Sequence, residues 1–99
     1  MLIVAGTITV DPDQVDELRD AATVMMAATL QETGCHQYVF SESLAAAGTI
    51  QIFEIWQSAD ELAAHFETPH MATFQRALQN LTVHSRELHR YEVANIAKM

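Results

Sequence analysis

The chain has 99 residues, of which 49% are hydrophobic and 18% charged, the size and composition of one small folded domain and too apolar for a disordered segment. Thirteen acidic residues against five basic give a formal net charge of -8, which argues against a nucleic-acid backbone or an anionic membrane surface as partner. No span approaches the ~20 apolar residues of a membrane helix. No basic flank precedes Arg19, as a secretory signal would require, and the single cysteine, Cys35, leaves no internal disulfide. The expectation is a soluble cytoplasmic protein with one domain over residues 1–99. A domain of this size buries only about 60–65% of the surface its unfolded chain exposes, so self-association is expected to cover more.

Residues 2–10 carry apolar or β-branched groups on both alternating faces, Leu2, Val4, Ile8 and Val10 against Ile3, Ala5, Thr7 and Thr9, the pattern of a strand covered on both sides. Asp11-Pro12-Asp13 stops it. Asp11 suits an N-cap, Pro12 the first helical position, and Asp13, Asp16 and Glu17 the positive end of a helix dipole. Val15, Leu18, Ala22, Met25, Met26, Thr29 and Leu30 then recur at helical spacing, and Gly34 is placed as a left-handed cap. Cys35 to Glu42 reads as a second strand and Thr49 to Gln57 as a third, joined by the small-residue turn Ser43 to Gly48 and expected to pair as a hairpin. Ser58 and Glu61 form the capping box of a short helix through Leu62, His65 and Phe66, which Pro69 breaks or redirects. Met71, Phe74, Leu78 and Leu81 mark a further helix, and Val83 to Val93 a last strand.

The order βαββαβ predicts an α+β, ferredoxin-like domain with a four-stranded antiparallel sheet and helices on one face. Its other face would then expose Ile3, Ala5, Phe53 and Ile55, and a second copy packing sheet to sheet would cover them. A homodimer follows as the expected partner.

The only glycines are Gly6, Gly34 and Gly48, so a dinucleotide loop or P-loop has no material. The histidines offer no persuasive metal set, because His65 and His70 are five apart around Pro69, and His84 and His89 would lie on opposite faces of a strand. Cys35 and His36 would point to opposite sides of theirs, and an inert thiol is expected at Cys35. What remains is Glu54 and Trp56 on one strand face, with the next helix laying His65 over them. A half-buried carboxylate has its pKa raised unless paired, and His65 is its natural partner, which makes a pair able to move protons. On the structural alternative, Glu54 and His65 hold the helix on the sheet, Trp56 is core and His70 caps a helix.

Glu54-Ile55-Trp56-Gln57-Ser58, followed by Leu62, Ala64-His65 and Thr68-Pro69-His70-Met71, resembles the signature of the antibiotic biosynthesis monooxygenase family of dimeric α+β barrels. Gly34-Cys35-His36 with Tyr38 is similar to the second-strand start of its quinol monooxygenase branch. The resemblance implies a homodimer formed by sheet packing, a ligand pocket in each protomer between helices and sheet, and oxidation of a small quinol or hydroxylated aromatic by dioxygen. It implies no metal or built-in cofactor, and any flavin would be borrowed from outside. Polyketide-oxidising relatives pair an Asn and a Trp on the third strand with a Tyr and an Arg beyond. Trp56 and Arg76 look like two of these, whereas Ile52 and Leu62 take the other two places, which counts against a polyketide. Haem cleavage is disfavoured because His65 stands near a Trp position and Gln75 near the haem-ligating His. An isomerase and a non-catalytic small-molecule-binding dimer are the alternatives. The expected site has Trp56 as aromatic wall, His65 as base, Glu54 as its partner and His70 as a second base. Arg76 would stabilise an anion, and Tyr38 and His36 would line the cavity.

Overall fold

A computed structural model describes residues 1–99. The elements are β1 (Leu2–Val10), α1 (Val15–Thr29), β2 (Cys35–Glu42), β3 (Thr49–Trp56), α2 (Ala59–His65), α3 (Pro69–Gln79) and β4 (Val83–Glu92), with a single 3-10 turn at Pro12–Gln14. The strands form one antiparallel sheet in the order β2-β3-β1-β4, the ferredoxin-like arrangement that the element order predicts.

The register sorts the side chains. Leu2 pairs with Trp56, Val4 with Glu54 and Ile8 with Ile50, while Tyr38 faces Glu54 from the other side, so all of these point at the helices. Leu2, Ile8, Val10, Ile50, Ile52 and Trp56 are buried there against Leu18, Ala22 and Met25 of α1, Leu62 of α2, and Met71, Phe74 and Leu78 of α3. On the opposite face Ile3 pairs with Ile55 and Tyr91, and Ala5 with Phe53, which in turn pairs with Val39. This face has no helix over it, and Val39, Phe53 and Tyr91 are exposed. On β4 only Val83 is even partly covered.

Local structure departs from the sequence expectations at the helix starts and at one helix end. Asp11 makes no side-chain cap; its carboxylate pairs with His84, and Pro12 opens a 3-10 turn instead of α1 itself. Ser58 donates its hydroxyl to Glu61 Oε2 (3.1 Å), so the capping pair bonds to itself and Ser58 does not cap the backbone N–H groups. Thr68 is a true cap, accepting from Met71 N. Helix α1 ends at Thr29, whose hydroxyl turns back to Met25 O, and Leu30 is left exposed. Gly34, with φ +81°, serves the turn into β2, where a β-carbon would collide with the Glu61 carboxylate. Inside β1, Gly6 lets β4 approach so closely that a β-carbon would sit 1.9 Å from the Glu87 carbonyl oxygen.

Candidate active site

Glu54 and Trp56 share the helix-facing side of β3 because strand residues two apart point the same way. Helix α2 ends on His65, which places its imidazole 5.0 Å from the Trp56 ring, centroid to centroid. Carboxylate, indole and imidazole therefore gather as the sequence predicts, but the expected Glu54–His65 bond does not form. Trp56 Nε1–H donates to Glu54 Oε1 (2.8 Å), and His65 is held by other groups. Burial pushes the Glu54 carboxyl up to about 7; the indole bond opposes that rise and the nearby Glu32 charge adds to it.

The partner of His65 is Glu32, in the connection between α1 and β2. Its Oε2 lies 2.7 Å from His65 Nδ1 and 2.6 Å from His70 Nε2, so one carboxylate oxygen gathers both imidazoles. Their meeting depends on the Thr68-Pro69 start of α3, which turns the chain between them. The far nitrogen of His65, Nε2, is 3.2 Å from the Tyr38 hydroxyl. When the Glu32 carboxylate accepts from Nδ1–H of His65 and Nε2–H of His70, the Tyr38 hydroxyl donates to His65 Nε2, and His70 keeps a free lone pair on Nδ1. The chain Tyr38–His65–Glu32–His70 is thus hydrogen-bonded throughout. Its donors from Glu32, His65 and His70 lie within 4.8 Å of one another, so the same groups have the spacing of a metal-ligand set.

Tyr38 stands edge-on to Trp56 and stacks on Phe40. Burial, then the charges of Glu54, Cys35 and Glu32, drive its phenol well above the usual tyrosine range, so it acts as a neutral donor. Burial and the Glu32 and Glu54 charges push the Cys35 thiol up to about 11, which leaves it protonated and unreactive near neutrality.

Two cavities adjoin α1. One, of about 330 Å³, lies between α1 and the β2 edge, lined by Leu18, Met26, Phe40 and Ile50 with Arg19 and Glu42 at its rim. The other, of about 260 Å³, lies between α1 and α3, lined by Ala21, Val24, Met25, Thr73, Phe74, Ala77 and His70. His65 and Trp56, 1% and 0% exposed, line neither. Of the two histidines on Glu32, His70 is the one that lines a cavity. Arg76 is exposed on α3, with its guanidinium on the Thr73 hydroxyl (3.2 Å), and lines neither cavity. His36 is exposed and bonded to Gln57 Oε1 (2.8 Å), away from the cluster. Glu32 was not anticipated. The signal that could have found it is a carboxylate two residues before a turn glycine, opposite two histidines that otherwise lack an anion.

A profile of the antibiotic biosynthesis monooxygenase family matches residues 1–77. A Deinococcus radiodurans crystal structure described as a "putative antibiotic biosynthesis monooxygenase" superposes with a TM-score of 0.91 at 28% identity, covering 100% of this chain and 98% of that one. A Synechocystis protein, "Uncharacterized protein sll1783", is 29% identical over 94% of this chain and 63% of its own length. The Escherichia coli "Probable quinol monooxygenase YgiN" is 31% identical over 61% of this chain and 65% of its own. The chain thus spans somewhat less than two thirds of these two curated relatives. With a family profile that takes in the first three strands and most of the helical layer, and a solved relative that matches it end to end, the chain belongs to the antibiotic biosynthesis monooxygenase family.

Proposed function

We propose that the protein is a cofactor-independent monooxygenase that oxidises a small quinol or hydroxylated aromatic with dioxygen, with the substrate in the cavity between α1 and α3. The observation that carries this reading is His70, which lines that cavity while its Nε2 rests on the Glu32 carboxylate. A base must reach its substrate, and His65 is enclosed. His70 is therefore the catalytic base, taking the phenolic proton on Nδ1, and Glu32 stabilises the imidazolium that results. His65 and Tyr38 are positioning residues that hold Glu32 from behind, and Glu54 keeps Trp56 in place as the wall of the cluster.

Deprotonation supplies the driving force. A phenolate in an apolar cavity is electron-rich enough to pass an electron to dioxygen, and the radical pair combines at a ring carbon as a hydroperoxide. Loss of water then leaves a hydroxyquinone: one oxygen atom ends on the ring and the other in water, and the two electrons and two protons required come from the quinol itself. Val24, Met25, Phe74 and Ala77 offer an apolar lining suited to a flat ring. The functional unit in this reading is a homodimer closed over the bare sheet face of Ile3, Ala5, Val39, Phe53, Ile55 and Tyr91.

Oxygen uptake with a panel of reduced quinols and hydroxylated aromatics tests the activity. Wild-type protein is expected to consume dioxygen above the chemical background, and His70→Ala to lose that excess. Equal uptake by both proteins overturns the assignment of His70, and wild-type uptake no faster than background overturns the oxygenase reading. Phe53→Glu is expected to run as a monomer or to aggregate in sedimentation, and a well-folded dimeric variant would remove the sheet face as the interface.

A further inference from the structure

We infer that Glu32, His65 and His70 form a binding site for one divalent transition-metal ion of the zinc class, and that such an ion switches the cavity's base off. The sequence spacing speaks against a metal set because it shows two histidines separated by a proline and no third ligand. The fold supplies that ligand from a different element. His65 Nδ1 and His70 Nε2 converge on a single carboxylate oxygen at 2.7 and 2.6 Å, and all three donor atoms lie within 4.8 Å of one another.

Two imidazoles and one carboxylate suit zinc, cobalt or nickel, whereas calcium and magnesium require more oxygen ligands than this cluster provides. Bonds of about 2.0–2.1 Å to an ion place tetrahedral donors roughly 3.3 Å apart, so the two nitrogen–oxygen distances open by less than 1 Å while the two imidazole nitrogens, within 4.8 Å of each other, close toward the same spacing. In doing so the ion takes the place of the two N–H protons that now hydrogen-bond to the carboxylate, and each imidazole carries its proton on its other nitrogen. The outer partner is also in place. An imidazole bound through Nδ1 carries its proton on Nε2, and His65 Nε2 faces the Tyr38 hydroxyl oxygen at 3.2 Å, which then accepts. His65 is 1% exposed and cannot swing away, while His70 borders the cavity and leaves the fourth coordination position to water or a cavity ligand. The other histidine–carboxylate pair, His84 with Asp11, is exposed and two-membered, and has no comparable third donor.

The inhibitory half of the inference rests on the proposed function. An ion on His70 Nε2 forces the ring proton onto Nδ1, the atom that would receive the phenolic proton, so metal binding and base catalysis exclude each other. The binding half stands independently of it.

Calorimetric titration of the metal-stripped protein with Zn²⁺, paired with visible absorption on addition of Co²⁺, tests the site. One ion per chain is expected, with the d–d bands of a low-symmetry cobalt centre, and both signals are expected to vanish in Glu32→Gln and His70→Ala but persist in His84→Ala. His70→Cys, which keeps a zinc ligand at that position, should restore binding, a result that separates lost coordination from lost folding. Absence of saturable binding, or binding that survives His70→Ala, overturns the site. In oxygen uptake, one equivalent of Zn²⁺ is expected to abolish wild-type turnover, and stoichiometric binding with uptake unchanged overturns the switch while leaving the site. If no substrate gives uptake, the oxygenase reading fails and the titration still decides the metal site.

Discussion

Glu54 and Glu32 are two carboxylates withdrawn from solvent in the same small domain, and their partners set them apart. Glu54 accepts from an indole N–H, which does not titrate, and its raised carboxyl lines neither cavity. Glu32 accepts from two imidazoles, one enclosed and one on a cavity wall. In the proposed function the Glu32 region moves the proton, and the Glu54 region holds a tryptophan at some cost in stability above neutrality. Depth of burial alone would rank them the other way.

The sharpest way to break this contrast is activity. His70→Ala is expected to lower kcat for quinol oxidation by ~100-fold or more, as removal of a general base does. Glu32→Gln should follow it with KM unchanged, while Glu54→Gln stays within a few-fold of wild type; the reverse ranking in steady-state oxygen uptake would restore Glu54 to the centre of the chemistry.

The next effect concerns stability and pH. The Glu54 carboxyl stands at about 7 in the fold against an ordinary 4.5, so its neutral form favours the folded state. That contribution is complete below about pH 4.5 and is lost as the pH rises through about 7. Urea unfolding at pH 5 and pH 8.5 should show wild type losing about 2 kcal/mol that Glu54→Gln retains. Equal slopes for the two proteins would mean that Glu54 has another compensating partner.

Filling the cavity beside His70 comes third. Ala77→Leu, on its α3 wall, is expected to raise KM by ~10-fold through lost space while kcat changes little, and an unchanged KM would move the substrate elsewhere. The smallest effect is at the far end of the hydrogen-bonded chain. Tyr38→Phe removes the donor to His65 Nε2 and should cost about 1 kcal/mol in thermal unfolding, with a modest fall in kcat, because Glu32 still holds both imidazoles.

The alternation of β1 and β3, the helical spacing from Val15 to Leu30 and the Pro69 break are legible in the chain, and they carry the ferredoxin-like fold. Periodicity could also place Glu54, Trp56 and His65 together, since strand and helix geometry fix which residues share a face. It could not find Glu32. That residue lies in an irregular connection where no period applies, and its role arises only when three separate elements converge. Nor could it tell that His65 is sealed and His70 open, because this depends on how α3 leans against α1. Arg76 and His36 were drawn in by resemblance and by strand alternation. The outward phase of α3 turns the first to solvent, and a register shift between Cys35 and Gln37 accompanies the displacement of the second.

β1 lies between β3 and β4, so both of its hydrogen-bonding neighbours come from much later in the chain, residues 49–56 and 83–92. A ribosome therefore releases an apolar strand with two open edges long before either partner exists. Such long-range pairing slows folding and keeps an aggregation-prone segment available to other chains in the meantime. Gly6 fits the native pairing once β4 arrives, because its missing side chain admits the Glu87 carbonyl where a β-carbon would lie 1.9 Å from it.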